Sequence, residues 1–156
     1  MARGRRSPAA ELGGLTDTQG RAWSTFLRAH ARVVHDMNED LEAGGGMPLT
    51  HYDVLRQLAL APGQRLRMAD LAERVMLSRP GLTGVVTRLE KQGLIERERV
   101  SDDRRGLYAV LTAAGHNRLL AAHPTHAASI RQRFAKRYTT DELRMLAALL
   151  GRLTNR

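Results

Sequence analysis

The apolar residues Trp23, Phe26, Leu27, Val33, Val34, Met37 and Leu41 fall at helical spacing and predict one long helix with an apolar stripe. Thr16, with Gln19 three residues later, has the form of a capping box that starts this helix, and Gly44, Gly45 and Gly46 end it. About seven turns is more than a small domain needs to cover its own core, so part of the stripe is expected to face a second chain. A second helix is predicted from Thr50, as cap, to Ala61, with Tyr52, Leu55 and Leu58 inward and Pro62 and Gly63 as the stop. A short strand at Arg65 to Arg67 follows, then a third helix, Met68 to Val75, that buries Leu71, Ala72 and Val75. After a turn at Met76 and Leu77, Ser78 is placed to cap a fourth helix, with Pro80 tolerated in its first turn and Gly93 just past its end.

From Leu94 the period changes to two. Leu94, Glu96, Glu98 and Val100 alternate with Ile95, Arg97 and Arg99, Leu107 to Leu111 gives a second strand, and the SDDRRG segment between them is turn-forming. Two such strands cannot stand alone, so they are expected to pack as a wing on the third and fourth helices. Thr112 should cap a helix running to about Ala122. Pro124 is expected to break or kink the pattern before a further helical stretch, Thr125 to Lys136, with Ile130 and Phe134 on one side. A second capping box, Thr139 with Glu142, opens a last helix whose Leu143, Leu146, Leu149, Leu150 and Leu153 suit helix-on-helix packing, inside the monomer or across a dimer. The expected fold class is mainly α (α+β).

Composition narrows the partner. At 156 residues the chain suits one domain, and 42% apolar residues is ordinary for a soluble globular protein. Cysteine is absent, which excludes disulfides and thiolate metal sites. No apolar segment follows the basic start MARGRRSPAA and no run reaches the ~18 apolar residues of a membrane span, so a cytoplasmic location without membrane contact is expected. The 25 Lys and Arg against 16 Asp and Glu give a net charge of +9, which favours an anionic partner, most simply nucleic acid. Residues 1–14, with Arg3, Arg5 and Arg6 and no apolar periodicity, read as a disordered basic tail.

A helix, a short turn and a second helix is the helix-turn-helix arrangement, whose second helix can enter the major groove. In the fourth helix, Leu82, Val85, Val86 and Leu89 can face the core, leaving Ser78, Arg79, Thr83, Gly84, Thr87 and Arg88 for solvent or DNA. Short polar groups allow close approach to base edges while Arg79 and Arg88 reach guanines or phosphates. In the wing, Arg104 and Arg105 ahead of Gly106 could enter the adjacent minor groove, with Asp103 orienting Arg105.

These residues resemble the MarR family of winged helix-turn-helix regulators over about Thr16 to Leu153. The specific part is DDRRGLYAVLT, in which Asp103, Arg105, Leu111 and Thr112 match the family's wing pattern, and LSRPGLTGVVTRLEKQGLIER looks like its recognition helix and following strand. Pro80 and Gly84 are unusual for the family. The resemblance implies a winged lobe at about 48–112 within a domain spanning 15–156, flanked by dimerisation helices at about 15–43 and 113–156. It also implies a homodimer on a pseudo-palindromic double-stranded DNA operator near a promoter, usually acting as a repressor. Members often release DNA when a small aromatic or phenolic ligand binds; the candidate lining here is Trp23, His30, Met47, His51, Tyr52 and Arg56.

Six histidines raise a metal reading, and some family members respond to zinc, so a zinc-responsive regulator of the same fold is an alternative. Yet the pairs His30/His35 and His123/His126 lack the i,i+4 relation, and Pro124 disturbs the latter, so no metal site and no cofactor are assigned. A non-specific architectural DNA binder is a further alternative. Catalysis is not expected: no nucleophile elbow or phosphate-binding loop occurs, and Asp102 and Asp103 fall in a turn rather than a cleft.

Overall fold

The computed structural model describes residues 14–75, 77–100 and 103–154; the side chains of Arg79, Val100, Asp103, Arg104 and Arg105 lie outside the described set, as does the expected basic tail through residue 13. Helix α1 spans Asp17–Asp40. Its capping box forms as read: the Thr16 N–H donates to Gln19 Oε1 at 2.9 Å and the Gln19 N–H to Thr16 Oγ1 at 3.2 Å. A single π-turn, Leu41–Gly45, continues it, and Gly46 ends it at φ +63°, a left-handed backbone that glycine adopts without strain.

The chain divides between Asp36 and Met37 into two compact units. In the first, the rings of Trp23, Phe26 and His30 follow one another along α1 at 6.1 and 6.4 Å, and Trp23, Phe26, Leu27 and Val34 are exposed. The second contains α2 (Leu49–Leu60), β1 (Arg65–Arg67), α3 (Met68–Arg74), α4 (Arg79–Lys91), β2 (Ile95–Val100), β3 (Asp103–Leu111), α5 (Ala113–Ser129) and α6 (Thr140–Thr154). Its strands form an antiparallel sheet in the order β1-β3-β2. The core beneath is built from Tyr52, Val54, Leu55 and Leu58 of α2, Leu71 of α3, Leu82, Val86 and Leu89 of α4, and Ile95 and Ala109 of the sheet. Among the described residues no helix is long and apolar enough to cross a membrane.

Three expectations are corrected. Thr50 does not cap α2. The extended backbone of Pro48 lets the helix begin at Leu49, whose orphan N–H is taken by Asn38 Oδ1 at 2.9 Å. The second wing strand begins at Asp103 rather than Leu107: Asp103 pairs with Val100, and a register shift between Arg99 and Val100 absorbs the extra residues. An antiparallel ladder extends as far as its backbone groups can pair, and polar residue types in the strand do not stop it. Lastly, Pro124 does not break the helix. α5 runs unbroken to Ser129 and passes into a π-turn, Ile130–Phe134. Proline removes one helical hydrogen bond, but Leu119 and Ala122 before it and Ser129 after it are all buried, so tertiary packing keeps the helix continuous across it.

Candidate nucleic-acid interface

The second helix of the helix-turn-helix, α4, is fixed at both ends by its own sequence. Ser78 Oγ accepts from the Gly81 N–H at 3.2 Å, and Pro80 sits in the first turn, where a missing N–H costs nothing. At the other end Gly93 has φ +69°; its N–H donates to the Glu90 carbonyl at 2.9 Å and the Leu94 N–H to that of Leu89 at 3.0 Å, the paired bonds of a Schellman stop. Between these stops the faces divide as predicted. Leu82, Val85, Val86 and Leu89 are buried, Ser78, Thr83 and Arg88 are exposed, and Gly84 and Thr87 are half-buried.

Two further contacts shape the outer face. Arg88 folds back so that its Nη2 stands 3.8 Å from where a Cβ on Gly84 would be. Its charge also acts on His51 at the start of α2: burial first, and Arg88 second, hold that imidazole below its usual pKa. Thr87 is engaged from the sheet, because Arg97 on β2 donates from Nη2 to Thr87 Oγ1 at 2.8 Å and pairs through Nη1 with Glu90 Oε2 at 3.1 Å. The pattern of residues treated Arg97 only as one member of an alternation. The available signal was its phase: Arg97 shares the inward phase of β2 with buried Ile95, and a charge on that side of a strand needs a partner.

On β1, Arg65 and Arg67 hold their guanidinium carbons 4.9 and 5.8 Å from the Tyr108 ring centre, and Arg65 lies 3.7 Å from Glu98. The first residue of α4, Arg79, and the β3 residues Asp103, Arg104 and Arg105 have their backbone in these elements. Their expected DNA contacts and the Asp103–Arg105 brace fall on side chains outside the described residues.

The expected ligand lining splits. Trp23 and His30 lie in the N-terminal unit and are exposed; Met47, His51 and Tyr52 are buried in the second unit, and Arg56 is exposed. Tyr52 stacks on His126 with centroids 4.2 Å apart and shares a 2.7 Å hydrogen bond with His123 Nδ1, joining α2 to α5. An open depression of about 500 Å³ lies elsewhere, lined by residues including Asp40, Thr125, Ser129, Gln132, Arg133 and Arg137, and none of the six expected ligand residues borders it.

A family model described as MarR family matches residues 45–106, which take in the helix-turn-helix and the start of β3. The uncharacterized HTH-type transcriptional regulator YkoM of Bacillus subtilis is 31% identical over 128 residues, 82% of this chain and 80% of that protein. The homoprotocatechuate degradative operon repressor of Escherichia coli is 35% identical over 97 residues, 62% of this chain; the match spans 64% of that repressor's length, slightly under two thirds. Among solved structures, the MarR family transcriptional regulator Sco3205 of Streptomyces coelicolor, crystallised in complex with DNA, superposes with a TM-score of 0.82 at 31% identity, covering 90% of this chain and 88% of that one. A capped second helix with divided faces, a paired wing, and a relative at this identity over four fifths of both chains lead to one conclusion: this chain belongs to the MarR family of DNA-binding transcriptional regulators and is not an enzyme.

Proposed function

We propose that the chain acts as a homodimer that binds a pseudo-palindromic operator, with two copies of α4 in successive major grooves about 10 base pairs apart and a wing arginine in each flanking minor groove. The observation that carries this reading is α4 itself: one face buried, the other offering Ser78, Thr83, Thr87 and Arg88 to a partner. Arg79, Arg104 and Arg105 belong to the same proposed contact set on sequence grounds, with Asp103 orienting Arg105. The lobe at about 48–112 is the DNA-binding part, the basic tail at 1–14 precedes it, and the helical stretches at 15–43 and 113–156 are the dimerising parts. Exposed Trp23, Phe26 and Leu27 on α1, and Met145, Leu149 and Leu153 on α6, support a second copy as their cover.

The protein works as a cytoplasmic repressor released by a small aromatic or phenolic compound. Support comes from the E. coli relative, whose name is that of an operon repressor for homoprotocatechuate degradation. Met47, His51, Tyr52 and Arg56, all of the second unit, remain the proposed lining; the buried Met47, His51 and Tyr52 would act as its wall and the exposed Arg56 as a polar anchor. Footprinting on DNA selected from a random pool tests the proposal, with and without a panel of aromatic acids and phenols. A discrete protected palindrome that is lost with one of these compounds is expected. Uniform coverage without sequence preference would mean an architectural protein instead.

A further inference from the structure

We propose that Arg97 is a positioning residue for operator recognition: held by Glu90, it fixes the Thr87 hydroxyl as a hydrogen-bond donor toward DNA and ties the reading helix to the wing. This rests on reading α4 as the helix that meets DNA.

Thr87 and Glu90 lie three residues apart on α4, one above the other, and the planar guanidinium of Arg97 reaches both from β2, the strand that leads into the wing. The Arg97 side chain is only 26% exposed, so this bridge sits at the edge of the core rather than in free solvent. A guanidinium has no lone pair, so the Thr87 oxygen must be the acceptor in the 2.8 Å bond, and its single proton points away from Arg97. Toward DNA that proton seeks an acceptor. Purine N7, guanine O6, thymine O4 and phosphate oxygen fit; the amino groups of adenine and cytosine do not. Glu90 neutralises Arg97 locally, so Arg97 itself contributes positioning rather than a phosphate contact. The same bridge fixes the angle between α4 and β2, so the major-groove and minor-groove contacts are set together.

Operator affinity across a range of salt concentrations, for wild type, Arg97→Gln, Thr87→Val, the double variant and Arg88→Ala, tests this. Losing the charged hydrogen bond or the hydroxyl should weaken binding about tenfold in each single variant. The double variant should be no weaker than either single one, the salt dependence of Arg97→Gln should match wild type, and its base preference should relax at one position per half-site. Additive losses in the double variant would overturn the inference, as would a salt slope reduced by about one phosphate in Arg97→Gln. Arg97→Lys keeps the charge and stem but not the two-pronged bridge, so it tests the idea even if the glutamine variant folds poorly. It should bind several-fold more weakly, and wild-type binding by it would overturn the bridge. If Arg88→Ala weakens binding while Arg97→Gln and Thr87→Val do not, α4 is the reading helix and this inference alone fails. If all three bind as wild type, the assignment of α4 fails.

Discussion

Gly115 stands where the start of α5 backs onto the end of α4. Thr112 makes the junction: its Oγ1 accepts from the Gly115 N–H at 3.0 Å and donates to the Gly93 carbonyl at 2.8 Å, while its own N–H donates to the Leu94 carbonyl at 3.2 Å. A Cβ on Gly115 would strike that Leu94 carbonyl and also lie 2.8 Å from Leu111 Cδ1. Two effects therefore oppose in Gly115→Ala. Helix propensity favours alanine by up to about 1 kcal/mol, but overlap with a backbone atom cannot be relieved by a rotamer, and overpacking costs of about 1–3 kcal/mol should prevail. Urea unfolding should show a net loss of ~1–2 kcal/mol; equal or greater stability would contradict this close approach. Thr112 was legible in the sequence because a cap announces itself through its own neighbours. Gly115 was not, because what it faces is a carbonyl more than twenty residues earlier. Arg97 shares that fate: its phase on β2 hinted at a partner, but only the fold brings Thr87 and Glu90 to it.

At the scale of elements, the boundaries visible in the sequence were those set locally. The capping boxes at Thr16 and Thr139, the serine cap of α4 and its glycine stop all formed as read. Elements set by distant packing were missed, such as the start of α2, which depends on Asn38, and the passage of α5 through Pro124. That unbroken passage matters for the joint between α2 and α5, because it carries His123 and His126 together onto Tyr52, beside Arg56 and Asp53 of α2. Burial, then the charge of Arg56, then His123 lower the His126 pKa, as burial and Arg88 lower that of His51, while burial raises those of Tyr52 and Asp53. The two histidines with lowered values decide the sign at mildly acidic pH. Below their ordinary value of 6.5 the unfolded chain binds more protons than the folded one, so their contribution is complete above pH 6.5 and is lost as pH falls below it. Melting temperature should therefore drop between pH 7.5 and 5.5, at about 2–4 °C for each kcal/mol lost. His126→Phe keeps a ring against Tyr52 but cannot titrate, and it should show a smaller drop. An identical pH dependence would remove His126 from the joint's proton balance.

At the scale of the whole molecule, the net charge of +9 and the apolar residues left in solvent call for different partners. The charge suits DNA and sets how steeply binding weakens with salt. The apolar residues call for protein. On α6 the apolar residues separate into two ridges: Leu143, Leu146 and Leu150 are half-buried, whereas Met145, Leu149 and Leu153 are 65%, 48% and 73% exposed at intervals of four. Spacing in the sequence gave all five leucines the same status, since helical periodicity does not say which neighbour each side of a ridge meets. The second ridge is the one a partner copy would cover. Leu149→Glu combined with Leu153→Glu leaves the half-buried leucines in place and puts two charges at the proposed contact, so the fold should persist by circular dichroism while light scattering reports a monomer. Operator binding should then fall by roughly two orders of magnitude or more, because a linked second half-site supplies gains of 10²–10⁴ in avidity, and the salt dependence should fall to about half as each complex loses one set of phosphate contacts. A dimer that survives both charges would place the contact on α1 or elsewhere. A monomer that keeps full operator affinity would mean that one copy, not two, makes the complex.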